Sequence, residues 1–95
     1  MVSDLSRGDH LDVTLRRVIR KHLPLLQARR LEKRLRGMTY EEVGIDEGCS
    51  KQAAEQAVSR GLLSMQNNKE FMQALVALFP DSGLDARTLM QATID

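Results

Sequence analysis

Tryptophan is absent, and one tyrosine and two phenylalanines are the only aromatic residues among 95. Proteins that read single strands or RNA stack bases on aromatic rings, so this shortage argues against that class. A single cysteine, Cys49, cannot close an internal disulfide, which fits a reducing cytoplasm. A small packed thiol in a turn is its expected role. No apolar run is long enough for a membrane span. Met1 to Asp12 is polar and acidic, unlike a signal peptide. Neither His10 nor His22 stands at metal-ligand spacing from Cys or acids. No glycine-rich phosphate loop and no recognisable Ser-His-Asp arrangement occurs. The expectation is therefore a cytoplasmic, non-enzymatic chain without metal or cofactor.

What the chain does have is charge, unevenly placed. Residues 16–36 hold nine bases (Arg16, Arg17, Arg20, Lys21, Arg29, Arg30, Lys33, Arg34 and Arg36) and one acid, Glu32, a balance of +8. The remainder holds five bases and twelve acids, a balance of −7. A phosphate backbone attracts the first part and repels the second, which would orient the domain on a duplex.

Helical periodicity runs through the sequence and strand alternation does not. Met1 to Gly8 has no pattern and reads as a mobile tail. Asp9 can cap a first helix, with Leu11, Leu15, Val18 and Ile19 on one stripe. Pro24 should stop it near His22. A second helix is predicted from Leu25 to Arg36, with Ala28, Leu31, Leu35 and Leu26 inward and Arg29, Arg30, Lys33 and Arg34 over the remaining surface.

The stretch from Met38 to Leu62 carries the strongest signals. Thr39 and Glu42 form a T-x-x-E capping box, so a helix should start at Tyr40. Gly48 can take the left-handed conformation that ends it. Ser50 is a good N-cap for a helix running from Lys51 to about Ser64. Gly-Cys-Ser leaves a turn of the length a helix-turn-helix needs. On the second helix Gln52, Glu55, Gln56, Ser59 and Arg60 share one face, with Lys51 at its edge. Ala53, Ala54, Ala57, Val58, Gly61, Leu62 and Met65 share the other. The polar face can donate and accept hydrogen bonds at base edges in a major groove.

These residues resemble region 4 of the sigma-70 family and the small region-4-like regulators of phages and mobile elements. The likeness runs from about Leu25 to Met65, under half the chain. It rests on Arg36-Gly37-Met38-Thr39-Tyr40-Glu41-Glu42-Val43-Gly44, Gly48-Cys49-Ser50-Lys51-Gln52-Ala53 and Ala57-Val58-Ser59-Arg60-Gly61-Leu62. It implies base contacts by Lys51, Gln52, Glu55 and Gln56, and phosphate contacts by Ser50 and Arg60. Two positions depart from the family. Glu47 stands where a buried leucine is usual, which predicts looser packing under the turn. Glu55 stands where a basic residue is common. No other sigma region is present in these residues.

After Met65 the pattern changes. Asn67 with Glu70 can cap a helix from Lys69 to Phe79 that is apolar nearly all round. Pro80-Asp81-Ser82-Gly83 stops it. A last helix is predicted from Leu84 to Thr93, anchored by Leu84, Leu89, Met90 and Ile94. The expected architecture is an all-α helix-turn-helix domain of about four to six helices. Residues 9–66 would form the DNA-binding core and 67–95 an added helical segment for packing or dimerisation. The expected function is sequence-specific double-stranded DNA binding in transcription control, with Arg29, Arg30, Lys33, Arg34, Ser50 and Arg60 on phosphates. Phe71, Met72, Leu75, Val76 and Phe79 would form a partner surface, either in a homodimer or against RNA polymerase or another regulator. The competing expectation is an adaptor or antiactivator that works through that surface alone.

Overall fold

Residues 13–95 are described by a computed structural model. The tail over residues 1–8, the Asp9 cap and Leu11 lie outside the described residues. Six α-helices follow in order: α1 (Val13–His22), α2 (Leu25–Leu35), α3 (Tyr40–Glu47), α4 (Lys51–Met65), α5 (Lys69–Leu78) and α6 (Ala86–Ile94). No strand occurs among the described residues, so the fold is all-α as expected.

Each boundary has a local cause. Pro24 disfavours helical geometry at Leu23, and α1 ends at His22. Pro24 then stands at the N-cap of α2 with φ −55° and ψ 148°. Helix α2 ends one residue earlier than expected, with Arg36 as its C-cap and Gly37 at φ 102°. The Asn67 assignment is off by one. Asn68 is the N-cap of α5, and its Oδ1 accepts from the Phe71 amide at 2.8 Å. Helix α6 starts two residues later than expected, because the Asp85 carboxylate accepts from the Thr88 amide at 2.9 Å. Leu84 therefore precedes the helix and is exposed rather than an anchor.

Helices α2 and α3 both pack on α4, α1 packs on α5, and α6 bridges α5 and α4. One continuous buried cluster joins Leu15, Val18 and Ile19 of α1 to Ala28, Leu31 and Leu35 of α2. It continues through Val43, Val58, Leu62 and Met65 to Phe71, Leu75, Leu89 and Met90. The C-terminal helices thus share the core of the helix-turn-helix.

Three apolar expectations are corrected by this packing. Leu26 is 46 % exposed and lies outside the core. Phe71 and Leu75 are fully buried, so they hold α5 down and are not surface residues. What remains outward on α5 is Met72, half-buried, with Val76 and the following Phe79 each more than one-third exposed.

Candidate nucleic-acid interface

The pair α3–turn–α4 is built from contacts between near neighbours. The Thr39 amide donates to the Glu42 carboxylate at 2.8 Å, and the Glu42 amide donates to Thr39 Oγ1 at 3.1 Å. This closes the capping box that starts α3. At the other end Gly48 sits at φ 70°, and the Cys49 amide donates to the Gly44 carbonyl at 2.8 Å. A Cβ on Gly44 would stand 2.7 Å from the Cys49 carbonyl oxygen, so the turn folds back too closely for any side chain there. Ser50 Oγ accepts from the Ala53 amide at 3.0 Å and opens α4.

Helix α4 sorts its residues as the periodicity predicts. Ala54, Ala57, Val58, Gly61, Leu62 and Met65 are buried. Lys51, Gln52, Gln56 and Arg60 are exposed, while Glu55 and Ser59 are half-buried. Gln52, Glu55, Gln56, Ser59 and Arg60 line a shallow concavity of about 560 Å³, and Ile94 of α6 closes one wall of it. The place of Ile94 was not legible in the sequence, since it depends on how α6 returns to α4.

The basic segment behaves differently from the expected solvated surface. Glu47, the last residue of α3, has a side chain only 3 % exposed and is an acceptor for three cations of α2. Arg29 donates through Nε and Nη2 at 3.2 and 2.8 Å, and Arg30 through Nε at 3.3 Å. Lys33 bridges Glu47 and Asp46. Hydrogen bonding from Arg29, with help from Lys33 and Arg30 against the cost of burial, holds the Glu47 carboxyl down at about 2. The same bond raises Arg29, and bonds to Asp46 and Glu47 raise Lys33. The predicted looseness under the turn is thus corrected: Glu47 is held there as a charge-bonded hub. An acid at that position, preceded by an excess of bases one helix earlier, is the signal that could have revealed it.

Two further bases are used internally. Arg34 Nε donates to the Thr93 carbonyl at 2.9 Å and Nη1 to the Met38 carbonyl at 3.0 Å. Its guanidinium lies 4.5 Å from the centroid of the Tyr40 ring. The Tyr40 hydroxyl donates toward the Ile94 and Thr93 carbonyls at 2.7 and 3.1 Å, so α2 and α3 together fasten the end of α6. Arg20 grips the buried Glu32 with two bonds of 2.7 and 2.9 Å.

The structure therefore brings Lys51, Gln52, Glu55, Gln56 and Arg60 together on one outward face, with Ser50 at its N-terminal end. It engages Arg29, Arg30, Lys33 and Arg34 in ion pairs and carbonyl contacts, with Arg30 beside Gln56 and Arg60. Comparison of the chain with protein-family models, curated proteins and solved structures finds no match.

Proposed function

We propose that this domain is a sequence-specific duplex DNA-binding regulator of transcription, with α4 as the helix that enters the major groove. One observation carries the reading. Gln52 and Gln56, four residues apart, are exposed on a helix whose start and preceding turn are fixed by Ser50 and Gly48. Glutamine amides can pair bidentately with adenine, Lys51 can bond guanine, and Glu55 can accept from a cytosine amino group. Arg60 and the Ser50 hydroxyl would meet phosphates at the two ends of the same face. Resemblance to sigma region 4 points the same way.

The test is fluorescence anisotropy with duplexes from the gene's own flanking DNA and with scrambled controls. Gln52→Ala and Gln56→Ala should each weaken binding to the preferred duplex about tenfold or more and leave scrambled DNA unchanged. Equal losses on both duplexes would remove base reading from α4.

The outward Met72, Val76 and Phe79 favour a second role, contact with a protein partner through α5. A single module of this size offers little DNA contact area, so a homodimer or a polymerase-bound assembly would strengthen it. Val76→Glu that keeps DNA affinity but loses a transcriptional effect would support docking. Retention of both would exclude it.

A further inference from the structure

Between α2 and α4 lies a second cleft, of about 200 Å³, on the side of Gln56 and Arg60 away from Glu55. Ala53 and Ala57 are small enough to leave it open, Gln27 of α2 and Gln56 of α4 both line it, and so do two arginines, Arg30 and Arg60. Arg30 is an unusual member. Its side chain is only 11 % exposed, yet it makes a single hydrogen bond, from Nε to Glu47. Among the described residues no buried side-chain nitrogen lacks a partner, so the two outer nitrogens of Arg30 keep some contact with solvent, and Arg30 is one of the residues that line the cleft. Arg60 is exposed and makes no ion pair among the described residues.

We propose that this cleft is a phosphate seat, gripped by Arg30 and Arg60 and flanked by the amides of Gln27 and Gln56. Charge supports it. Arg29, Arg30 and Lys33 outnumber Asp46 and Glu47 by one, and Arg60 adds a second uncompensated positive charge. A guanidinium offers planar paired donors that match phosphate oxygens. Arg30 is already held in place by Glu47, so little side-chain freedom is lost when an anion arrives. Gln56 and Arg60 line both this cleft and the base-reading concavity. The group seated here is therefore a backbone phosphodiester beside the bases that Gln52 and Gln56 read. That choice of source rests on the DNA-binding reading above; the phosphate chemistry does not.

Two measurements separate the claims. The first titrates the full chain with inorganic phosphate and, at matched ionic strength, with chloride, following the side-chain Nε signals of Arg30 and Arg60 by NMR. Phosphate should move both signals and chloride neither. Gln27→Glu, which places a carboxylate at the rim, and Arg60→Gln should each suppress the shift while the backbone spectrum stays folded. Signals that follow ionic strength alone would overturn the seat. The second scans a bound duplex with single methylphosphonates, which remove one backbone charge. One position should weaken the wild type about tenfold and Arg60→Gln far less. Equal sensitivity of both proteins at every position would overturn the backbone assignment. A phosphate response without any duplex binding would leave a seat for a free phosphate compound and defeat the DNA reading instead.

Discussion

At the scale of single residues, Glu47 decides more than its position suggests. A carboxylate held at about 2 in the fold, against an ordinary 4.5, stabilises the fold fully above about pH 4.5. That contribution drains away as the pH falls toward 2, because protonation then costs the hub its charge. Its full size is at most about 3 kcal/mol, since partly exposed Arg29 is screened by water. Glu47→Gln should cost roughly 2–3 kcal/mol in urea denaturation near neutral pH and flatten the acid limb of the stability curve. A variant with an unchanged acid limb would show that the bonds to α2 contribute nothing. Glu47→Leu has a different expected outcome. It puts an apolar side chain under the turn and releases Arg29, Arg30 and part of Lys33, so nonspecific duplex affinity should rise in low salt. Gly44 is the other residue that leaves no latitude. Gly44→Ala would press a methyl group onto the Cys49 carbonyl, 2.7 Å away, and should cost about 1–3 kcal/mol by thermal melting.

At the scale of elements, α5 shows why an apolar helix need not be apolar for one reason. Phe71 and Leu75 point into the core, whereas Val76 faces out and Phe79 follows the helix at its rim. Phe71→Ala should lose about 3–5 kcal/mol in chemical denaturation, while Val76→Glu should stay within about 0.5 kcal/mol of wild type. Equal losses would mean that the face of α5 is turned. The helix starts at Thr39 and Ser50 and the helix end at Gly48 were legible in the sequence because a cap is a contact over three or four residues. The start of α5 at Lys69 was legible, but its cap was misassigned by one position, because Asn67 and Asn68 both satisfy the same local rule. The outward polar face of α4 was also legible, since 100° per residue fixes it once the helix is capped. The ion pairs of α2 were not. They join residues 13 to 18 positions apart, and no local pattern pairs Arg29 or Lys33 with an acid in the next helix. The wall made by Ile94 was hidden for the same reason, as it depends on Tyr40 and Arg34 fastening a helix more than fifty residues later.

For the whole molecule, the division into a +8 segment and a −7 remainder is spent largely inward. Arg20, Arg29, Arg30, Lys33 and Arg34 hold helices to one another, which leaves a smaller positive surface than nine clustered bases suggest. The dependence of duplex binding on salt should reflect this. With about −0.9 per phosphate contact, a log–log slope no steeper than about −4 is expected from Lys51, Arg60 and their immediate neighbours. A slope beyond about −6 would mean that the pairs at Glu47 open when DNA arrives. The fastening of α6 has a practical consequence for anyone handling the protein. Tyr40 and Arg34 hold the carbonyls of Thr93 and Ile94, and Ile94 borders the concavity along α4. Any peptide joined after Asp95 would therefore emerge beside the outward polar face of α4, so an affinity tag or fluorescent fusion placed there would crowd a duplex docking on that face. The same proximity makes Asp95 a good place for a short-range label. A dye at that residue would report the arrival of DNA by its own loss of mobility.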